Sequence, residues 1–335
     1  MTFANRPIAR GSPYLPATVS DAPLVGILLI AFGMGIFSVQ DVIIRWIGSS
    51  YPASQIVFLR GLVALVPLAA MVYFSGGFST LNVKHPRLNL LRGLLGLMSY
   101  TTYYMALVAM PIADATAIFF ISPMIVTVLS ALFLQEKVGA RRWAAVLIGF
   151  SGVIIIVRPG SGLLDAVALL PVFAALSYAL SQIIARRIGK TQTGTSLAFL
   201  SMAVFVAVSG FFGFLFSDGI DTEIEHKSFD FLLGAWSTPG LFDCLLIAIC
   251  GIIAAVGFYC LSQAYRIAPA SAVAPFEFVA MPLAVLWGVV IWAEYPPTTT
   301  IFGIVLVVGS GLYVLNRESV RNRPLTTGRG IRLRL

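Results

Sequence analysis

Ten apolar stretches, each about as long as a bilayer core is thick, dominate this chain and leave few folds open to it. They run over residues 24–47, 54–74, 90–110, 113–134, 142–158, 163–185, 195–216, 241–265, 269–293 and 298–316. A spanning helix needs roughly 20 apolar residues, and inside lipid every backbone amide must be satisfied within the segment, so such stretches are helices. Barrel strands are short and alternate apolar with polar residues; these runs do neither. A soluble domain is excluded by composition. Of the 335 residues, 59% are hydrophobic and 11% charged, against about 25% charged in soluble domains, which leaves too little polar surface to cover a water-facing globule. Most breaks carry turn chemistry or charge, as at Gly76-Gly77, Pro111, Arg158-Pro-Gly160, Pro239-Gly240, Pro269 and Pro296-Pro297. Pro111 and Pro269 leave almost no linker, so both mark very tight hairpins. The chain reads as an all-α integral membrane protein with ten transmembrane helices.

Arg6 and Arg10 precede the first stretch, as in a signal peptide. That stretch is too long for one, continues into Gln40, Asp41 and Arg45, and lacks a small-residue cleavage pattern. The basic residues set the expected orientation. With the N-terminus inside, 18 of the 22 Lys+Arg face the cytoplasm, including Lys84, Arg87, Arg92, Arg186, Arg187, Arg266 and six in the tail from Arg317 to Arg334. Only Arg45, Arg158 and Lys227 fall outside, and Arg60 lies within a helix. The longest outer loop, about 217–239, is acidic. Ten spans put both termini in the cytoplasm of an inner membrane. The net charge is +8, and the six arginines of the C-terminal tail read as a cytoplasmic anchor touching anionic lipid; no motif for nucleic acid accompanies them.

Five spans per half is an odd number, so two homologous halves run through the membrane in opposite senses. An offset of 141 pairs Phe32 with Phe173, Arg45 with Arg186, Gly48 with Gly189 and Phe58 with Phe199. An offset of 158 pairs Ala106 with Ala264, Pro111 with Pro269, Phe120 with Phe278 and Glu136 with Glu294. The expected organisation is a cytoplasmic tail over 1–23, a first five-helix repeat over 24–160, a second over 161–316 and a basic tail over 317–335.

The segment "YYMALVAMPIADATAIFFISPMIVTVLSALFLQEKVGARRWAAVLIGFSGVIIIVRPG" from Tyr103, and its echo "CLSQAYRIAPASAVAPFEFVAMPLAVLWGVVIWAEYPPTTTIFGIVLVVGSGLYVL", resemble the EamA-type module of the drug/metabolite transporter superfamily. The marks are a Tyr- and Ala-rich helix entering a short Pro turn, Pro123 or Pro282 in the next helix, a closing Glu136 or Glu294, and a Gly-rich last helix. Arg60 in "IVFLRGLVAL" also resembles the family pattern; the second module departs there with Ser201. The resemblance implies two inverted five-helix units around a central cavity, and export or uptake of small metabolites. It names no substrate.

No chemistry of an enzyme is legible. The two histidines, His85 and His226, fall in expected loops. No His/Cys/carboxylate cluster suits a metal, no phosphate-binding Gly-Lys-Ser/Thr loop is present, and no cofactor is expected. Cys244, Cys250 and Cys260 lie on one helix, too far apart along it to bond. Charges inside the membrane are costly and mark functional candidates. Asp41 and Arg60 each lie about six residues, roughly 9 Å, from the outer ends of their helices, so they are expected to pair. Two readings stay open: an ion pair that fixes the helices, or contact with a charged substrate group. Their repeat equivalents are Gln182 and Ser201. Glu277 in "APFEFVAMP" lies between Pro275 and Pro282, where a broken helix lines a cavity; it reads as a substrate-amine or proton site, or as a carboxylate satisfied by neighbours. Glu136 and Glu294 read as groups at helix ends that cap or pair with the following segment, and Asp114 and Ser271 as N-caps.

Tyr100, Tyr103 and Tyr104 share one helix face, as do Tyr259, Ser262 and Gln263. These faces either pack or line a cavity together with Phe119 and Tyr178. Gly93, Gly96, Ser99, Gly149, Gly152, Gly303, Gly309 and Gly311 are expected to permit close helix contact. The expected substrate-binding set is therefore Asp41, Arg60, Tyr100, Tyr104, Phe119, Tyr178, Gln182, Tyr259, Gln263 and Glu277. The expected function is secondary transport of a small organic metabolite, an amino acid or related amphipathic solute, with a vitamin or nucleotide-derived compound as the alternative and a multi-pass enzyme or channel less favoured. Proton or ion coupling and the oligomeric state stay open.

Overall fold

The computed structural model describes residues 23–82, 85–135, 139–157, 166–189, 191–216, 219 and 227–321. Glu136 and the acidic residues Asp218, Asp221, Glu223 and Glu225 lie outside them, as does the side chain of Ser271. Every regular element among the described residues is helical. In chain order these are α1 (Pro23–Ile47), α2 (Ala53–Phe74), α3 (Pro86–Ala109), α4 (Ile112–Phe119), α5 (Ser122–Phe133), α6 (Ala140–Val157), α7 (Ala166–Ile188), α8 (Gly194–Leu215), α9 (Lys227–Leu233), α10 (Leu241–Ile267), α11 (Ala270–Val273), α12 (Ala280–Trp292) and α13 (Thr298–Arg321), with 3-10 turns at Phe78–Leu81 and Ala274–Val279.

Eight of the ten apolar stretches form one helix each. The fourth and ninth are interrupted. α4 ends at Phe119 and α5 restarts at Ser122, with Pro123 in its first turn, where a missing N–H costs nothing. The ninth stretch opens as α11, tightens into the 3-10 segment around Pro275, and continues as α12. The loop between α8 and α10 contains α9, which docks on α3 through Ser228 Oγ donating to the Met105 carbonyl at 3.2 Å, with Phe231 buried. The last helix runs on to Arg321, so the basic tail begins helically rather than breaking at residue 317.

The repeat is visible in backbone angles. Met110 and Pro111 have φ/ψ of −139/166° and −54/138°; Ala268 and Pro269 have −135/154° and −54/133°. The two Pro hairpins are thus the same turn built twice. Packing repeats as well. α3 lies along α7 while its counterpart α10 lies along α1, and α3 against α8 is matched by α10 against α2. The two halves are therefore interleaved, each helix of these pairs resting on the other half. At the α3–α8 contact a Cβ on Gly93 would come within 2.7 Å of the Val204 Cβ; at the α10–α2 contact a Cβ on Gly251 would come within 2.6 Å of the Val63 Cβ. Gly93 and Gly251, and Val63 and Val204, are repeat equivalents. Gly152 and Gly303 seat α6 against α13, since a Cβ on either would meet the other's carbonyl oxygen at 2.8 and 2.7 Å. Gly309 faces open space instead and carries no such contact.

Two aromatic pairs mark the internal two-fold axis. Phe120 packs on Phe278 with ring centroids 5.5 Å apart, and Tyr100 on Phe258 at 5.2 Å. Each ring is the repeat equivalent of the one it touches, and a residue can meet its own equivalent only beside the axis. The axis therefore passes through the two helix interruptions and the middle of α3 and α10.

Candidate functional site

A cavity of about 50 Å³ lies beside this axis. α1 contributes Met34, Phe37, Ser38 and Asp41; α3 contributes Ser99, Tyr100 and Tyr103; the interrupted α4–α5 unit contributes Thr116, Phe119 and Phe120. Tyr178 of α7, Leu261 of α10 and Ala280 of α12 close it. The rings interlock: Tyr103 on Phe119 at 4.8 Å, Phe119 on Tyr178 at 5.5 Å, Phe37 on Phe258 at 5.9 Å. Such edge and tilted contacts add about 0.5–1.5 kcal/mol each beyond area burial.

Asp41 is the carboxylate of this wall. It is half-buried and accepts a hydrogen bond from the Tyr103 hydroxyl at 3.1 Å; that hydroxyl also lies 3.0 Å from Thr116 Oγ1. Arg60 does not pair with it. The fully buried Arg60 donates from Nη1 to Gln40 Oε1 at 3.3 Å, and its guanidinium lies 5.3 and 5.4 Å from the ring centres of Tyr100 and Tyr104. Gln40 in turn donates from Nε2 to the Tyr104 hydroxyl at 2.6 Å. The expected Asp41–Arg60 pair fails for a geometric reason. Depth along the helix matches, but consecutive residues of a helix point about 100° apart: Gln40 turns toward α2 and Asp41 toward Tyr103. Arg60 Nε and Nη2 have no partner. The double variant Asp41→Asn/Arg60→Gln is therefore expected to transport less well than Asp41→Asn alone, as measured by uptake into proteoliposomes. Rescue by the second change would restore the ion pair as the better account.

Glu277 sits one layer below the cavity, fully buried in the 3-10 segment. Its Oε1 accepts from the hydroxyls of Tyr178 at 2.7 Å and Tyr265 at 2.5 Å, while Oε2 has no partner. Tyr178 thus links Glu277 to the cavity. Gln182, one turn on from Tyr178, lines an adjoining void of about 10 Å³ together with Arg92, Ser201 and Phe205. Of the expected site residues, Asp41, Tyr100, Phe119 and Tyr178 line the cavity; Arg60, Tyr104, Gln182 and Glu277 stand immediately behind it. Tyr259 and Gln263 do not join them. Gln263 accepts from Arg266 Nη1 at 3.4 Å and packs under Gly194, and the cavity-facing residues of α10 are Phe258 and Leu261. The i, i+3, i+4 spacing identified a face of α10 but not which face turns inward; Gly257, seated against the Phe37 ring, decides that.

Three other expectations change. Arg92, counted with the cytoplasmic cluster, is buried within α3. Asp114 does not cap α4; it accepts from Thr300 Oγ1 at 3.1 Å, tying α4 to α13. Glu294 pairs with Arg45 of α1 through two contacts of 2.5 and 2.7 Å, and Arg45 lies 4.5 Å over the Trp292 ring. Arg45 and Trp292 border a surface cavity of about 440 Å³ between the end of α1 and α9.

The sequence profile of the EamA-like transporter family matches residues 24–158 and again 166–316. The chain belongs to this family. Its two matched segments are the two interleaved repeats. This EamA-like protein is a multi-pass membrane transporter of small metabolites and not an enzyme. It is 26% identical over 281 residues to an S-adenosylmethionine uptake transporter of Rickettsia bellii, covering 84% of this chain and 90% of the relative. It is 27% identical to a riboflavin transporter of Rhizobium johnstonii (90% and 94%) and 29% identical to the pseudopaline exporter CntI of Pseudomonas aeruginosa (87% and 95%). A crystal structure of 17% identity superposes with a TM-score of 0.65, covering 89% of this chain and 98% of its own, which supports the fold.

Proposed function

We propose that this transporter carries a cationic amphipathic metabolite with a planar ring, of the kind S-adenosylmethionine represents, across an inner membrane by alternating access. In this reading both termini are cytoplasmic, and the face bearing α9 and the Arg45–Glu294 pair is external. One observation carries the substrate reading. Asp41 is a half-buried carboxylate with a single hydroxyl partner, set in a wall of Tyr100, Tyr103, Phe119, Phe120 and Tyr178. An anion flanked by aromatic faces is a receptor for an onium or ammonium group, because ring faces and carboxylate both attract the cation while the rings remove water. The wall that attracts a cation also stacks a flat heterocycle.

A neutral planar vitamin is the second reading, favoured by the same ring wall and by the riboflavin transporters among the relatives. Uptake of labelled S-adenosylmethionine and of riboflavin by proteoliposomes separates the two. Asp41→Asn is expected to reduce S-adenosylmethionine uptake at least tenfold, since a desolvated cation loses its counter-charge. If wild-type protein ignores the cation and takes up riboflavin, with Asp41→Asn unchanged, the first reading is wrong and the second stands.

A further inference from the structure

Arg92 is a buried cation with no acid beside it among the described residues. The side chain is 3% exposed. Its Nη1 donates to the Leu197 carbonyl at 2.7 Å and to Ser201 Oγ, and its Nη2 to Ser262 Oγ at 2.9 Å. All three acceptors are neutral, and Nε is left without a partner. Burying a guanidinium is expensive unless an opposite charge offsets it, and among the described residues none of its hydrogen-bond partners does so.

The second observation lies across the same void. Gln182, 5% exposed, has no partner for Oε1. An orphan N–H and an orphan carbonyl therefore line one space of about 10 Å³, roughly the room for a single water. Tyr100 and Tyr178 line this void and also the larger cavity that holds Asp41. These rings, with Leu261, form the wall shared by the two spaces.

Internal symmetry supplies a comparison. The equivalent contact between α2 and α10 also holds one buried arginine, but Arg60 comes from α2, and the position equivalent to Arg92 is Cys250. The same Gly–Val packing forms in both places, so a guanidinium on α3 is not what the helix contact requires. The two arginines also differ in surroundings. Arg60 lies against the rings of Tyr100 and Tyr104. Arg92 borders a small void beside the unpartnered Gln182 Oε1.

We infer that Arg92 and Gln182 form a subsite for an α-amino-acid head group, Arg92 taking the carboxylate through Nε and the second N–H of Nη2, and Gln182 Oε1 taking the ammonium. The Leu197 carbonyl, Ser201 and Ser262 hold the guanidinium in place. A planar guanidinium presents parallel N–H groups that match a carboxylate, and a carbonyl next to it accepts from an ammonium three bonds away. The assignment rests on the reading of Asp41 as the cation site at the other end of the same solute. It narrows the substrate from any flat cation to an amino-acid-bearing one.

The test compares binding of S-adenosylmethionine with that of its decarboxylated form, using purified full-length protein in detergent. Wild type is expected to bind the carboxylate-bearing compound at least tenfold more tightly. Arg92→Gln is expected to abolish that preference, with affinity for the decarboxylated form held within threefold. Arg92→Lys keeps a point charge without the fork and is expected to retain part of the preference. Gln182→Leu is expected to weaken both compounds, because both keep the amine. A purely structural Arg92 would lower the thermal midpoint and weaken both compounds equally, which overturns the inference. So would wild-type protein that binds both equally, and in that case the Asp41 reading survives. Wild-type protein that binds neither overturns the Asp41 reading and this one with it. Should Arg92→Gln not fold, Arg92→Lys and the wild-type preference carry the test.

Discussion

Replacing Glu277 by Leu is expected to abolish transport and to destabilise the folded protein by about 2–5 kcal/mol. The carboxylate is the common acceptor for Tyr178 of α7 and Tyr265 of α10, at 2.7 and 2.5 Å. Without it two buried hydroxyls lose their common acceptor, and a buried hydroxyl left unsatisfied costs about 1–3 kcal/mol. The loss is concentrated where the chain is least regular, in the 3-10 turn between α11 and α12, so the interrupted helix would lose the link that fixes it to both neighbours. Glu277→Gln separates architecture from proton chemistry. Its carbonyl still accepts from a tyrosine, so the thermal midpoint in detergent is expected to move little. It cannot exchange a proton, so transport is expected to fall about tenfold and to lose its dependence on pH. A Gln variant with wild-type rate and pH profile would remove proton exchange at this residue from the account. A Leu variant as stable as wild type would remove the structural argument.

The second large effect is expected at the Arg45–Glu294 pair. Its side chains are 13% and 28% exposed, so the pair is partly buried; pairs near a surface contribute about 0–1 kcal/mol to stability, a bidentate one at the upper end, with a similar amount from the cation over Trp292. Folding should register its loss only modestly. Transport should, because the pair joins the end of α1 in one repeat to the end of α12 in the other, and alternating access requires the ends of the repeats to part on one side and close on the other. A contact made in one state only shifts the ratio of states about tenfold for each 1.4 kcal/mol. Arg45→Glu places like charges together and is expected to slow transport at least tenfold with a change in thermal midpoint of only a few degrees. The exchanged double variant Arg45→Glu/Glu294→Arg is expected to recover to within about threefold. Failure of the exchange to recover would mean that the residues act separately, for instance through Trp292.

Both predictions rest on contacts between repeats, and those are what a linear reading reaches least well. Pro111 and Pro269 fixed two hairpins from sequence, since proline permits few turns at such short linkers and the structure shows the same angles twice. The offset of 158 likewise foretold that Phe120 and Phe278 are equivalent. That they touch required the axis to pass between them. The same arithmetic could have drawn in Phe37 through Tyr178, at an offset of 141, and Phe258 through Tyr100. Arg92 could have been noticed because it lies two residues inside its apolar stretch rather than ahead of it.

Apolar run length, odd helix number and repeated turn residues determined the membrane class, the ten spans and the inverted duplication, because lipid leaves a backbone no alternative to internal hydrogen bonding. Which side of each helix turns inward was decided only by packing. Asp41 and Gln40 are neighbours in the chain and face different partners; Gln263 carries the right chemistry on a face that looks away from the cavity. Azimuth depends on where one glycine lets a neighbouring ring or helix settle, as Gly257 does for Phe37, and in an almost uniformly apolar helix the polar pattern that would reveal it is too weak to read.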